Sequence, residues 1–245
     1  MENQEAFKAL NAEAVFFDEP LDSEHIPEDT SAEVICTFIN SKIDKPVLDA
    51  FENVKFIATR STGFDHIDVA EWENRGIKLA NVPMYGENTV AEFTFGLILA
   101  LTRKIYRSYD KVRQTGSFDV RELRGFDLKG KTLGVIGTGS IGQNVIKIAK
   151  GFGMEVIACD KYPDEAGARD LGFQYCDPGR ALRESDILTL HVPYTKETHH
   201  LLNEKNIISM KKGAYLINTS RGPIVETPAL VRAISINHLA GAALD

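Results

Sequence analysis

Three glycines and one aspartate stand at a spacing that could bind a dinucleotide. The run Leu133–Gly142 reads LGVIGTGSIG, with Gly137, Gly139 and Gly142 in a G-x-G-x-x-G pattern, and Asp160 follows Gly142 by eighteen residues. In such a turn the first glycine permits a tight bend, the second lets the backbone approach a pyrophosphate, and the third lets a helix pack close to a strand. A helix N-terminus also favours phosphate charge. The pattern therefore predicts a dinucleotide site.

The segments around this turn have the patterns that such a site requires. An apolar strand precedes the turn, and a second apolar strand, 154–160, ends in Asp160. Between them, apolar residues recur at helical spacing: Ile141, Val145, Ile148, Ala149 and Phe152. The Asp160 carboxylate can accept hydrogen bonds from ribose hydroxyls and would repel a 2′-phosphate, so NAD is the predicted cofactor. Lys161 beside it leaves NADP open.

Composition narrows the classes of partner. The 245 residues include 28 Lys and Arg against 35 Asp and Glu, which gives a formal charge of −7. The sequence contains no dense basic run, so we do not expect it to bind nucleic acid. The longest apolar run, 95–101, is too short to predict a membrane span, and the polar N-terminus does not resemble a signal peptide. Cys36, Cys159 and Cys176 are isolated, which predicts reduced, mostly buried thiols and no metal site. We expect a cytoplasmic protein.

Short apolar segments and helical patterns alternate along the chain and predict two parallel α/β units. The predicted strands of the first unit are 15–18, 34–38, 55–59 and 77–81, with helices at 45–52 and 66–75. The predicted strands of the second unit are 133–137, 154–160, 173–176, 187–192, 214–219 and 239–244. A doubly wound sheet binds its ligand at the carboxyl ends of its strands, so the residues there are the candidates for function.

Two further helices are predicted. One occupies 2–10. The other is long and begins with a capping box, Thr89 to Glu92, in which each side chain satisfies a free backbone donor of the first turn. It runs to about Gln114 through an apolar series, Phe93, Leu97, Leu101 and Ile105, and a loop-rich bridge follows at 116–130.

Several motifs together resemble the D-2-hydroxyacid dehydrogenase family over nearly the whole chain. They are GTGSIG at 137–142, LHVP at 190–193, NTSRGP at 218–223, TRSTGFDHID at 59–68 and VPMYGENTVAE at 82–92. Within the family, the pair Gly125-Phe126, the run NTSRG and the segment VFFD at 15–18 are most similar to the branch that uses D-lactate.

The resemblance implies a fold with two domains. Residues 1–86 form an incomplete, flavodoxin-like α/β substrate domain, and 87–122 form an interdomain helix and linker. Residues 123–245 form a doubly wound, parallel-sheet Rossmann domain that binds NAD and lacks its C-terminal part. Family members are usually homodimers through the long helix. The apolar face at Phe93, Leu97 and Leu101 fits this assembly, and an interface within the chain would give the same pattern.

The resemblance also implies substrate contacts for a small 2-oxo or 2-hydroxy acid. Arg221, just past a buried strand, would hold the carboxylate and carbonyl oxygens with its planar guanidinium. Thr62 and Gly63 match a loop whose backbone amides bind the substrate carboxylate, although Gly63 also fits a plain turn. Tyr85 matches a substrate-facing tyrosine, and burial in a domain interface would explain it equally well.

Further positions match the family's cofactor contacts. Besides the three glycines and Asp160, they are Ser140, Ile141, Val192, Pro193, Thr198, Thr219, Ser220 and Asp245. Ser140 and Ile141 open the helix that faces the phosphates. Asp245 matches an acid that accepts a hydrogen bond from the nicotinamide carboxamide, but as the last residue it also carries a free terminal carboxylate.

The family's catalytic Glu and His have no counterpart in this sequence, because both would follow Asp245. We therefore expect a chain truncated at its C-terminus and, since it opens in the 2–10 helix, at its N-terminus too. None of the six histidines is predicted to replace the missing acid. Three functions stay open: a D-lactate dehydrogenase, a non-catalytic NAD-binding module, and a relative acting on hydroxypyruvate, glyoxylate or phosphoglycerate.

Overall fold

A computed structural model describes residues 13–245, and the helix predicted at 2–10 lies outside this range. The chain divides after Tyr85 into two compact units. Among the described residues, no helix is long and apolar enough to cross a membrane.

The first unit contains a three-stranded parallel sheet in the order β1-β2-β3. Its strands are β1 (Val34–Thr37), β2 (Phe56–Thr59) and β3 (Lys78–Ala80), and its helices are α1 (Lys45–Ala50) and α2 (Val69–Asn74). Apolar side chains of the sheet and of α1, among them Ile35, Ile57, Val47 and Leu48, form the core. The α/β character predicted for this part of the chain is confirmed.

Two predictions for the first unit are wrong. Residues 15–18 form no strand, and Val15, Phe16 and Phe17 are 66%, 47% and 60% exposed. Their β propensity has no effect because the segment has no buried sheet face on which to pack. Cys36 is exposed rather than buried, because β1 alternates and its even-numbered side chains lie on the outer face of the sheet.

The second unit is a six-stranded parallel sheet in the order β6-β5-β4-β7-β8-β9, with helices between the strands. The strands are β4 (Thr132–Ile136), β5 (Glu155–Cys159), β6 (Gln174–Tyr175), β7 (Ile187–Leu190), β8 (Tyr215–Asn218) and β9 (Gly241–Leu244). The helices are α3 (Glu87–Thr102), α4 (Ile105–Thr115), α5 (Ser140–Gly151), α6 (Glu165–Leu171), α7 (Pro178–Glu184), α8 (Glu204–Ser209) and α9 (Thr227–Ser235). The strand order reverses between β4 and β7, which confirms the doubly wound fold.

The predicted long helix is two helices, α3 and α4, because Lys104 adopts a left-handed conformation (φ 56°) between them. The predicted capping box is also wrong. The helix begins after Gly86, so Thr89 lies inside it, and the Glu92 carboxylate accepts a 2.6 Å hydrogen bond from Asn88 Nδ2. The Glu92 carboxylate, which would accept from the helix start in a capping box, is thus bonded to Asn88 instead.

Helices α3 and α5 cover one face of the large sheet. Their buried side chains, including Phe95, Ile98, Val145 and Ile146, pack with Leu133 and Val135 of β4. Phe95 also stacks on Phe152 at 5.3 Å between ring centroids. Phe93, on the other side of α3, is 48% exposed. Of the predicted apolar face, Leu97 and Leu101 are partly buried and pack against this core, whereas Phe93 lies on the exposed side of the helix.

Gly142 in α5 and Gly96 in α3 form a matched pair of helical glycines. A Cβ added to Gly142 would lie 2.1 Å from the Gly137 carbonyl oxygen, whereas one added to Gly96 would meet nothing within 4 Å. We expect Gly142→Ala to lower the free energy of unfolding by about 1–3 kcal/mol through overpacking. Gly96→Ala should raise it by about 0.5–1 kcal/mol. Urea unfolding followed by circular dichroism measures both, and equal effects would contradict the packing described.

Candidate functional site

The candidate site lies at the carboxyl edge of the large sheet. Gly137, Asp160, Val192, Thr219 and Asp245 follow the ends of β4, β5, β7, β8 and β9, and the strands are parallel, so these residues share one edge. The strand order reverses between β4 and β7, and the loops after these two strands touch there. A Cβ on Gly137 would lie 2.4 Å from the His191 carbonyl oxygen. Ligands of doubly wound sheets bind at this kind of crevice.

The glycine turn leaves the start of α5 open to an anion. Gly137 has a φ of 95°, a conformation that other residues rarely adopt, and its N–H donates to the Cys159 carbonyl at 2.8 Å. Gly139 is the exposed N-cap of α5, and no side chain caps the helix there. The first-turn N–H groups and the helix dipole therefore favour a negative group at this point. The turn and its helix fit a pyrophosphate.

Asp160 is a half-buried carboxylate that accepts hydrogen bonds from its neighbours on both oxygens. The N–H and the hydroxyl of Thr138 donate to Oδ2 at 2.6 and 3.0 Å, and the N–H of Tyr162 donates to Oδ1 at 2.8 Å. Burial raises the pKa of Asp160, but these hydrogen bonds outweigh burial and hold the pKa below its ordinary value. The group is thus an anion at neutral pH, which suits an acceptor of ribose hydroxyls.

Lys161, the residue that leaves NADP open, forms an ion pair. Its Nζ lies 2.9 Å from Glu197 Oε2, and both side chains are well exposed. A surface pair of this kind is weak. The charge next to Asp160 is nevertheless partly compensated by a nearby carboxylate.

Arg221 lies in a loop that the Asn218 side chain holds at both ends. The Asn218 amide donates to the Arg221 carbonyl at 2.9 Å and accepts from the Ser220 N–H at 3.0 Å. Ser220 Oγ donates to the Leu190 carbonyl at the end of β7 (2.7 Å), and the buried Thr219 and Thr94 hydroxyls lie 3.0 Å apart. The half-buried Arg221 guanidinium also donates to the Ser220 carbonyl. The loop is therefore rigidly attached to the sheet and to α3.

The remaining cofactor candidates of this unit lie around the same edge. Val192 is half-buried and would be 2.9 Å from a Cβ on Gly137, and Pro193 is exposed. The Thr198 hydroxyl donates to the Pro193 carbonyl at 2.7 Å and accepts from the Thr195 N–H at 2.8 Å, so it braces the loop after β7. Asp245 is exposed, and its N–H donates to the Asn218 carbonyl. Ser140 is exposed and Ile141 half-buried at the start of α5.

The substrate candidates Thr62, Gly63 and Tyr85 belong to the first unit. The loop after β2 is held by the Thr62 hydroxyl, which donates to the Val82 carbonyl at 2.8 Å, and by Ser61 Oγ, which donates to the Gly63 carbonyl at 2.7 Å. Within residues 13–245, no hydrogen-bond acceptor is seen for the N–H of Thr62 or Gly63. Tyr85 is 61% exposed. The loop thus presents amides that suit a carboxylate.

Four residues that support the site were not predicted. Thr138 and Asn218 lie inside motifs that were quoted, but their side-chain bonds could not be read from spacing. Thr94 and Tyr175 gave no local signal, because their partners are 125 and 37 residues away along the chain.

His191 is the histidine nearest the glycine turn, and it is neutral. Burial lowers its pKa to about 4. Its Nε2 lies 2.9 Å from Thr189 Oγ1, and its N–H donates to the Ile136 carbonyl at 2.7 Å. A group with this pKa does not carry a proton near neutral pH. His191 is therefore a structural residue and not a proton donor.

The low pKa of His191 makes stability depend on pH. The unfolded chain takes up this proton near the ordinary pKa of 6.5 and the folded chain only near 4, so the stabilisation is complete above pH 6.5 and is lost as the pH falls towards 4. Through this residue the free energy of unfolding should fall by about 1 kcal/mol between about pH 7 and pH 5.5. Urea unfolding of wild type and His191→Gln at both pH values measures it. An equal fall in the two proteins would contradict the assignment.

Sequence comparison identifies relatives of this chain. The NAD binding domain of the D-isomer specific 2-hydroxyacid dehydrogenases matches residues 95–245. The D-lactate dehydrogenase of Escherichia coli K12 is 37% identical over 244 residues, which cover 99% of this chain and 74% of the relative. A glyoxylate reductase of Thermofilum pendens is 44% identical over 220 residues, 87% of this chain and 64% of the relative.

Solved structures give the same result. The D-lactate dehydrogenase of Aquifex aeolicus in complex with NAD and lactic acid is 41% identical, with a TM-score of 0.86 over 91% of this chain and 67% of that one. The apo D-lactate dehydrogenase of Escherichia coli has a TM-score of 0.83 at 37% identity, over 99% of this chain and 77% of that one.

These matches confirm the family and cofactor predictions. They extend over both units and include the glycine turn, Asp160 and Arg221. The chain belongs to the D-isomer specific 2-hydroxyacid dehydrogenases, the NAD-dependent oxidoreductases that act on the CH–OH group of 2-hydroxy acids.

Proposed function

We propose that this chain is the greater part of a D-lactate dehydrogenase, which reduces pyruvate to D-lactate with NADH. The proposal rests mainly on one observation, that three groups follow strands ending at the same edge of the large sheet. They are the glycine turn at Gly137, the anionic Asp160 and Arg221. The identity to the D-lactate dehydrogenase of Escherichia coli supports the choice of substrate. Because the chain spans 74% of that relative, the activity of the whole protein is part of the proposal.

The residues of the glycine turn fit the cofactor by shape and charge. Gly137 and Gly142, where a Cβ would collide with backbone carbonyls, keep the turn and the start of α5 close together. Gly139 would let the backbone approach a pyrophosphate, and the uncapped start of α5 would bind its charge. Asp160 would accept a ribose hydroxyl. NAD, when bound, supplies the hydride. We assign 123–245 as its domain, 87–122 as helix and linker, and 1–86 as the substrate domain.

Arg221 would bind and polarise the oxo acid. A planar guanidinium can grip a carboxylate and an adjacent carbonyl oxygen with two parallel hydrogen bonds, which the point charge of Lys cannot do. The Asn218 bonds and the Ser220–Leu190 bond restrict the loop before any ligand arrives, so little ordering remains to be done on binding. The Thr62 and Gly63 amides and Tyr85 stay predicted substrate contacts.

A second candidate substrate is glyoxylate. Two glyoxylate reductases, from Thermofilum pendens and Thermococcus litoralis, are 44% and 40% identical to this chain. Glyoxylate and pyruvate differ by one methyl group, so a pocket that admits pyruvate does not by itself reject glyoxylate. A homodimer is also part of the proposal, supported by the apolar side chains that α3 and α4 expose, Phe93, Ile105 and Tyr109.

Steady-state oxidation of NADH with each acid separates the two substrates. A pocket that packs on the extra methyl group should favour pyruvate in kcat/KM by about tenfold or more. A preference for glyoxylate would instead support the second candidate. Because the catalytic Glu and His are predicted to follow Asp245, the assay uses the whole protein of which this chain is the proposed greater part. Binding of NADH by that protein with no turnover of either acid would contradict both candidates and leave a cofactor-binding module.

Arg221→Lys tests the role of the guanidinium. We expect kcat/KM for pyruvate, and the affinity of the NADH-bound protein for oxamate (an unreactive isostere of pyruvate), to fall about 10- to 100-fold. This corresponds to the loss of one charged hydrogen bond, about 1.5–3 kcal/mol. Oxamate binding reports on the site even where turnover is low.

The control is Arg232→Lys, which changes an exposed arginine of α9 that pairs with Glu204. It should bind oxamate and NADH as wild type does. Arg221→Lys should also keep the affinity for NADH. Wild-type oxamate binding by Arg221→Lys would remove Arg221 from its proposed role.

A further inference from the structure

We infer that Tyr175 and Thr138 are positioning residues that orient the Asp160 carboxylate for a ribose hydroxyl of the cofactor. This inference rests on the proposed function, because it takes Asp160 as the acid that binds the ribose. Thr138 acts directly on Asp160, and Tyr175 acts on Asp160 through Thr138. The role therefore requires no contact between either residue and the cofactor.

Four hydrogen bonds connect β6, the glycine turn and the end of β5. The N–H of Asp164 donates to Tyr175 Oη at 3.1 Å, and Tyr175 Oη lies 2.8 Å from Thr138 Oγ1. The hydroxyl and the N–H of Thr138 both reach Asp160 Oδ2. Tyr175 thus links the turn that begins at Gly137 to the loop that follows β5. A ligand bound to Asp160 would lie next to both segments.

The direction of this chain of bonds is determined by its two ends. A backbone N–H can only donate, and an ionised carboxylate can only accept. Thr138 therefore gives its hydroxyl proton to Asp160, and Tyr175 must give its own to Thr138 Oγ1. Hydrogen bonds that run in one direction polarise one another, so the Tyr175 hydroxyl strengthens the hold of Thr138 on the carboxylate.

Counting acceptor sites shows what the carboxylate has left for a ligand. An ionised carboxylate offers about four lone-pair sites. Thr138 occupies both sites on Oδ2, and the N–H of Tyr162 occupies one on Oδ1. Oδ2 is therefore filled, and a further donor has to approach Oδ1. A ribose hydroxyl can donate to it, whereas a 2′-phosphate would bring only further negative charge.

The Tyr175 ring is held in place independently of its hydroxyl. It packs edge-on against Phe173 at 5.1 Å between centroids, and its residue pairs with Ala158 of β5 in the sheet register. Removing the hydroxyl should therefore leave the ring where it is. This makes Tyr175→Phe a change in the hydrogen-bond chain rather than in the packing.

The test is a double-mutant cycle on the full chain, with NADH affinity measured by isothermal titration calorimetry. Tyr175→Phe and Thr138→Val should each weaken NADH binding about three- to tenfold, the loss of one hydrogen bond. Thr138→Ser, which keeps the hydroxyl, should bind within about twofold of wild type. Tyr106→Phe, the same chemical change at a 49%-exposed tyrosine of α4, is the matched control and should have no effect.

The second arm repeats Tyr175→Phe and Thr138→Val in an Asp160→Ala background. If both residues act through Asp160, their effects disappear there, because the carboxylate that they orient is gone. A purely structural role would weaken binding equally in both backgrounds. That result, or wild-type affinity in both single variants, overturns the inference.

The cycle also separates this inference from the proposed function. If Asp160→Ala itself binds NADH as tightly as wild type, the assignment of the ribose to Asp160 fails. If Asp160→Ala weakens binding and the Tyr175 and Thr138 variants do not, the cofactor site stands and only the positioning role fails. Thermal unfolding of each variant checks that it is folded. If Tyr175→Phe does not fold, the comparison of Thr138→Val with Thr138→Ser still tests the positioning role.

Discussion

The organising constraint of the second unit is a close approach of three backbone segments at the end of β4. Gly137 lies against the carbonyl of His191 after β7, and Gly142 in α5 lies against the carbonyl of Gly137, with no room for a Cβ at either glycine. These contacts bring the turn, the helix start and the neighbouring strand to one point. The open helix terminus, the anionic Asp160 and the Arg221 loop are arranged around it. Any side chain inserted at this point would move the groups that bind charge.

Burial and hydrogen bonds set the charge of two groups at this edge. Hydrogen bonds from Thr138 and Tyr162 hold the pKa of Asp160 below its ordinary value, while burial lowers the pKa of His191 to about 4. At neutral pH one group is therefore anionic and the other neutral, only a strand apart in the sheet. This contrast suits a site that must accept hydrogen bonds from ribose at one position and pack closely against the turn at another.

The parts of the site that could be predicted from sequence are those with a local cause. The turn glycines and the apolar strand that leads to Asp160 follow from short-range patterns, and the structure and the relatives confirm the fold, the family and NAD. The individual contacts of Thr198, Asp245 and Tyr85 stay predictions, as do the domain boundaries and the dimer. A sequence motif is enough to propose that these residues contact a ligand, but only a bound ligand or a variant can test the contact.

The errors occur where the local pattern does not decide the structure. The segment 15–18 has the composition of a strand but no buried face to join, and the long apolar series from Phe93 to Ile105 is interrupted by the left-handed Lys104. The capping box failed because Asn88 engages Glu92. Tyr175 and Thr94 were missed because each acts on a partner distant in sequence, at a point that only the folded sheet creates.

The central claim is that the turn between β4 and α5, together with Asp160, binds the cofactor. Amide hydrogen exchange of the chain with and without saturating NADH tests it most directly, because it locates binding without requiring turnover. If the turn and Asp160 bind the cofactor, NADH slows exchange most strongly in the segment 137–142 and in the segment that contains Asp160. Binding of NADH with no added protection in these two segments would contradict the claim.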